Sequence, residues 1–384
     1  MPANIAHMLI AHKALKKLQQ KGIAEYTSFA NLLDDNSKKK RFRAYMNLGS
    51  IGSDLYYYAK ITTSIKDLVA DGFVQAKGVT PWSYHLHSSR PNEFVLKLIQ
   101  ILFSDVERKN GKILLSDDDI RKLAYIAGHL THIAADQIIH PVVNSIAGPY
   151  YRSGDNRIKH RQAEVFQDYF LYQEVYRLEE KSGKDYDFFE QPFNEWADCI
   201  PSITTKNSEE WFRYFLQRGF AETYGMFPTE ADIEDSVDNL LLTLKVCKIA
   251  GPYKDAKKEY ENSSSDNGLF QQYVTNVNYL KFYRLAVELS IIYLIALYEV
   301  YYILKEGMDF TEEHRNRFLG IVREADLSCP LELDLYDKAL SELQNKKTME
   351  KTVKSHSESL LNSTKIFKSS AILKSVNDKD IIKK

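Results

Sequence analysis

The stretch SDDDIRKLAYIAGHLTHIAADQIIHP, residues 116–141, decides the fold of this chain. Leu123, Ile126, Leu130 and Ile133 recur at the spacing of one helical face. Ser116 supplies an N-cap hydroxyl, Asp119 makes a short capping box with it, and the acidic run faces the positive end of the helix dipole. The pattern predicts a helix from Ser116 to about His140, ended by Pro141, which lacks the amide hydrogen for another turn. On that helix His132, Asp136 and His140 stand at i, i+4 and i+8, so their side chains share a face and can converge.

Beyond a loop with Gly148, Pro149 and Gly154, a second helix is expected from about Arg157 through Leu178, ending before Lys181–Lys184. Further helical patterns occupy roughly 208–222, 229–249 and 275–305, with the break at Glu261–Gly268 before the last. Alternating strand patterns are hard to find and no internal repeat stands out, so the fold class is all-α, a multi-helix assembly. The most apolar run, around Ser290–Tyr298, is bracketed by Glu288 and Glu299 and reads as a buried core helix, because a membrane span needs roughly 20 apolar residues. Past about Asp309 the chain is more charged, and its last part is rich in Lys, Ser and Asn.

With 384 residues the chain can build a large core. Its 51 basic and 52 acidic residues leave a net charge of -1, which excludes a sequence-wide positive field for duplex nucleic acid or unspecific membrane binding. Phosphate recognition must therefore be local. Cys199, Cys247 and Cys329 are widely spaced and odd in number, so neither a disulfide framework nor a thiolate zinc knuckle is expected. The start, MPANIAHMLIAHKALKKLQQ, places His7 and His12 within its apolar part and basic residues after it, unlike a secretory signal. A cytoplasmic location is expected, with signal-independent export as the other route.

The first 160 residues hold eight of the ten histidines: His7, His12, His85, His87, His129, His132, His140 and His160. His160 and Glu164 in HRQAE repeat the four-residue spacing on the second helix, so two helices can pinch metal between imidazoles and carboxylates. A single such pair more often decorates a solvated helix face. Two pairs and a further histidine on consecutive helices, with Asp54 in the Gly-containing LGSIGSDLYYY, make coincidence the weaker explanation.

These motifs resemble the zinc-dependent phospholipase C family, whose relatives include fungal single-strand-specific nucleases with the same all-helical, three-zinc plan. The likeness runs over roughly residues 1–180 and is most specific in AGHLTHIAADQIIHPVVN and HRQAE. NIAHMLIAHKAL offers His7 for the early histidine, and LGSIGSD offers Asp54 for the aspartate. TPWSYHLHSSRPNEFV offers His85 and His87, of which the spacing to Phe94 favours His87. The resemblance implies two or three Zn2+ ions: one shared by His87, His132 and Asp136, a second by His140, His160 and Glu164, and a third held by His7 with Asp136 bridging. It places Asp54 beside the reactive water as general base. Family members commonly complete the third site with a mature N-terminal residue; here Pro2, exposed by removal of Met1, would take that part.

The implied activity is phospholipase C-type hydrolysis of a phosphodiester, with a phospholipid as favoured substrate and transient contact with a membrane surface. Residues 1–305 would form the catalytic domain, and 306–384 a helical extension with a loose polar tail. The alternatives are a single-strand-specific nuclease or 3'-nucleotidase on the same core, and a non-catalytic zinc-stabilised helical module. A His/carboxylate set without cysteine leans catalytic. Tyr56, Tyr57, Tyr58, Trp82 and Tyr84 can wall a head group or a base, although such residues are more often core. His12 reads as a surface or core histidine, His129 as a packing or ligand-orienting one, and His314 and His356 as solvated.

Overall fold

The computed structural model describes residues 4–35, 37–59, 81–109, 112–175, 200–201, 203, 209–246, 251–262, 268–331 and 346–363. The helices are α1 (Asn4–Gln19), α2 (Ala24–Leu33), α3 (Phe42–Ile51), α4 (Pro81–Ser88), α5 (Pro91–Asp105), α6 (Asp117–Ala147) and α7 (Gly154–Leu171). They continue with α8 (Glu210–Tyr224), α9 (Glu230–Val246), α10 (Gly251–Glu261), α11 (Tyr279–Lys305), α12 (Glu312–Ile321) and α13 (Lys346–Ser363). The class is all-α, as the periodicity predicts. The exception among the described residues is a short hairpin in which β1 (Glu107–Lys109) pairs antiparallel with β2 (Lys112–Leu114), Arg108 opposite Ile113.

The long helix α6 is the axis of the fold, packed against α3 and α11 and also touched by α1, α5, α7 and α13. Its start follows the sequence: Ser116 accepts from the Asp119 amide, and the Asp119 carboxylate accepts from the Ser116 amide. Its end does not. The helix passes through Pro141 and runs on to Ala147. A proline inside a helix removes the hydrogen bond to the carbonyl four residues back, here that of Gln137, and His356 Nε2 lies 3.1 Å from that oxygen. The missing donor is thus replaced from α13, and His356, read as solvated from sequence, is half-buried against α6. His314 likewise has a partner, closing the N-terminal capping box of α12 with Thr311.

α3 and α6 cross at glycines. A Cβ on Gly128 would stand 2.0 Å from the Met46 carbonyl oxygen, and one on Gly49 would stand 2.1 Å from the Tyr125 oxygen. This backbone-on-backbone approach brings the end of α3, and the 3₁₀ segment Gly52–Tyr58 after it, onto the histidine face of α6. Gly52 makes the turn between them at φ +46°, a region that disfavours a side chain.

α11 is long and apolar enough to cross a membrane by length and composition. In the fold it is a core helix, with Leu289, Leu294, Leu297 and Val300 buried. The flanking acids are paired: Glu288 lies 2.7 Å from Lys17 and Glu299 lies 2.8 Å from Arg317. Observed helix limits differ from the expected ones by a few residues, and α7 passes into a π turn at 172–175. The 181–184 break, Cys199, Cys247, Pro2 and the tail after Ser363 lie outside the described residues. Cys329 is a free thiol, half-buried.

Candidate metal centre

All eight residues singled out from sequence lie in one buried cluster. Asp136 is its hub. Its Oδ1 is 3.5 Å from His7 Nε2 and 3.4 Å from His140 Nε2. Its Oδ2 is 3.1 Å from His132 Nε2 and 3.6 Å from His87 Nε2. Asp54 enters from the 3₁₀ segment, Oδ1 3.1 Å from His87 Nε2 and Oδ2 3.6 Å from His7 Nε2. Glu164 Oε1 stands 3.1 Å from His160 Nε2 and 3.6 Å from His140 Nε2. Among the described residues, donor atoms within 4.8 Å of one another form three groups: His140, His160 and Glu164; Asp54, His87 and His132; and His7, His132 and Asp136. The first group coincides with a set that the resemblance implies. The other two differ in detail, since Asp54 stands among the donors around His87 and His132.

The histidines are aimed by backbone. Nδ1 of His87 donates to Ser83 O (2.7 Å), that of His132 to Ser50 O (3.0 Å), and that of His140 to Leu327 O. A carbonyl only accepts, so each imidazole is held as the Nδ1–H tautomer when neutral, with the Nε2 lone pair directed into the cluster. His7 is set by the start of α1, where the Ile5 and Ala6 amides donate to Asp168 Oδ2 (3.2 Å) and Oδ1 (2.8 Å).

This donor set fits zinc. His132 Nε2 and Asp136 Oδ2 are buried and 3.1 Å apart, yet they lack the alignment of a hydrogen bond, and neither has a hydrogen-bond partner among the described residues. Side-by-side donors of this kind converge on a third point, as ligands do. Imidazoles and carboxylates without cysteine suit Zn2+ with positions left open.

The charges are strongly coupled. Burial works against the Asp136 carboxylate, but His132 and His140 hold its pKa far below the usual range. Burial likewise opposes ionisation of Glu164, and His160 and His140 overcome it in the same way. For His140 burial favours the neutral ring, while Asp136 and Glu164 carry the pKa up to about 10. His7 is pushed down to about 4 by burial and by His132. Metal binding must displace the extra proton from a histidine such as His140, so affinity is pH-dependent.

A sequence model of the family described as zinc dependent phospholipase C matches residues 6–223. The chain belongs to this family. No curated protein and no solved structure matches it. The family match ends well before the strand of chain that supplies the Leu327 carbonyl to His140.

A cleft opens beside the cluster, lined by Asp54, His87, His140, His160 and Glu164 and walled by Tyr57, Tyr150, Arg161 and Ser328. Arg161 was not singled out from sequence, although it follows His160 directly. Its guanidinium is buried and donates to Tyr150 Oη at 2.6 Å. Burial opposes its charge, but Tyr150 and Glu164 more than compensate, so it stays cationic. Tyr57 Oη pairs with Tyr151 Oη at 2.6 Å, placing this tyrosine of the aromatic run at the cleft, whereas Tyr56 and Tyr58 are core. His85 stacks on Tyr224 away from the cluster. His129 is buried, packed against Phe94 and Tyr125, and among the described residues neither ring nitrogen has a hydrogen-bond partner.

Proposed function

We propose that this member of a zinc-dependent hydrolase family cleaves a phosphodiester of a phospholipid, releasing diacylglycerol and a phosphorylated head group. The observation that carries the reading is the cluster around Asp136, in which five imidazoles and three carboxylates, Asp136 among them, form three adjoining donor groups beside a cleft. In this reading His7, His87, His132, Asp136, His140, His160 and Glu164 hold the metal. Bound zinc supplies positive charge for the phosphoryl oxygens and acidifies water towards a pKa of about 7.

The chain's own groups supply the rest. Asp54, buried and fixed between His87 and His7, accepts the proton of the attacking water as its oxygen bonds to phosphorus. The P–O bond to the glycerol oxygen breaks, and that oxygen leaves with a proton from solvent in the cleft. Arg161 pairs with a non-bridging phosphoryl oxygen, a task for which a guanidinium fork is well shaped. Tyr57 and Tyr150 wall the cleft and limit water around the reacting phosphate.

The test is metal content by mass spectrometry, paired with hydrolysis of phosphatidylcholine, single-stranded DNA and a generic phosphodiester before and after chelation. Two or three zincs with chelator-sensitive cleavage of phosphatidylcholine are expected. Preferred cleavage of DNA would move the substrate to the nuclease alternative. Protein that stays metal-free after zinc supplementation would overturn the reading altogether.

A further inference from the structure

Residues 322–329 cross the metal centre as an irregular strap after α12, outside the family match. Irregular backbone can be buried only when its polar groups find partners, and this strap finds them on α4 and α6, which carry candidate ligands, and on α5 beside them. Asn92 Nδ2 donates to Val322 O at 3.0 Å, and Gln137 Nε2 donates to Arg323 O at 2.9 Å. Asn144, one turn beyond His140, donates to Ser328 O at 2.8 Å.

Leu327 lies between two ligand-bearing helices. Its amide donates to the His87 carbonyl oxygen at 2.7 Å, and its own carbonyl accepts the Nδ1–H of His140. The turn that presents it is knitted by Asp326, whose Oδ1 accepts from Ser328 N (2.9 Å), Ser328 Oγ (2.6 Å), Cys329 N (3.2 Å) and Ser88 Oγ (3.1 Å). Leu327 is fully buried, so water cannot replace its carbonyl.

We propose that Val322–Cys329 is a working part of the metal centre, with Leu327 as the positioning residue that fixes the tautomer and direction of His140. The inference rests on the reading of His140 as a zinc ligand. His140 shares its donor group with His160 and Glu164 on α7, and it is the member contributed by α6. If its ring turns, that group loses the donor that ties the two helices together. Loss of the partner that orients a ligating histidine typically weakens metal binding by about 10–100-fold.

The experiment uses full-length protein and reads zinc stoichiometry and individual dissociation constants by competition with a chromophoric chelator, alongside the helical circular dichroism spectrum. Asp326→Ala is expected to weaken one zinc by about 10–100-fold while the others and the helical signal hold. Asp326→Asn, which keeps an acceptor oxygen, should restore much of that affinity. Should Asp326→Ala fail to fold, Asn144→Ala is read in the same way. Unchanged affinity for every zinc in the folded variant would overturn the proposal. His140→Ala separates the two levels: if it retains every zinc at wild-type affinity, the ligand reading itself is lost, whereas lost zinc there with unaffected strap variants condemns the strap alone.

Discussion

His356 Nε2 donates to the carbonyl oxygen of Gln137 across 3.1 Å, the acceptor that Pro141 leaves without its helical amide. A side chain 219 positions away in sequence thus repairs the helix that carries three of the candidate ligands. His356→Ala should cost about 1–2 kcal/mol in chemical denaturation, since a largely buried carbonyl is left unpaired. The contribution is also pH-dependent. Burial, opposed by the Gln137 bond, lowers the pKa of His356 below its ordinary 6.5. The unfolded chain therefore takes up the proton first, so the stabilisation is complete above about pH 6.5 and is lost as the pH falls below it. The stability difference between wild type and His356→Gln should narrow on acidification, and a constant difference would refute the role.

Gly128→Ala tests whether helix crossing positions the site. The new methyl would meet the Met46 carbonyl oxygen at 2.0 Å and the Ser50 amide nitrogen at 2.6 Å, both backbone atoms that cannot swing away. Ser50 O also orients His132. The substitution should cost about 1–3 kcal/mol as overpacking, and zinc content should drop with it. Wild-type stability and zinc content would mean that α3 and α6 can separate without harm to the cluster.

Much of this was legible in the chain because its information is local. Four-residue spacing sets His132, Asp136 and His140 on one face, and the Ser116 box announces where that helix begins. The end of α6 was illegible for the opposite reason: the rule that proline stops a helix assumes that nothing nearby supplies the missing hydrogen bond, and His356 does. The choice between His85 and His87 followed spacing, and the fold brings His87 to Asp54 while His85 stacks on Tyr224. Arg161 carries no periodic signal of its own. Nor does Leu327, which acts through its backbone, and a backbone carbonyl has no letter in the sequence.

Asp54→Asn separates a base from a ligand. Asp54 Oδ1 lies 3.1 Å from His87 Nε2, within a donor group, and the residue also lines the cleft. An amide oxygen keeps the shape but takes no proton. As the base, Asp54 predicts an Asn variant with the full complement of zinc and turnover lower by about 10²–10⁴-fold. Metal content measured on the same sample decides the matter: loss of one zinc in proportion to activity would make Asp54 a ligand and leave the base to be found elsewhere.

On the proposed reading, Arg161 is the cleft's own cation for the phosphate. With no broad positive field, attraction for phosphate has to come from the metal and from single buried groups such as this guanidinium, held by Tyr150 at 2.6 Å on the wall of the cleft. Arg161→Lys keeps the charge but loses the planar fork, and Arg161→Gln loses both. If the fork binds a non-bridging oxygen, kcat/KM on the preferred phosphodiester should fall by about tenfold or more in the Lys variant and further in the Gln variant, by the strength of a charge-assisted pair. Zinc content should stay at the wild-type value in both, because Arg161 contributes no ligand atom. Inorganic phosphate should inhibit both variants less than wild type, by a parallel factor. Equal inhibition by phosphate in all three proteins would assign Arg161 to holding Tyr150 in place and remove it from substrate recognition.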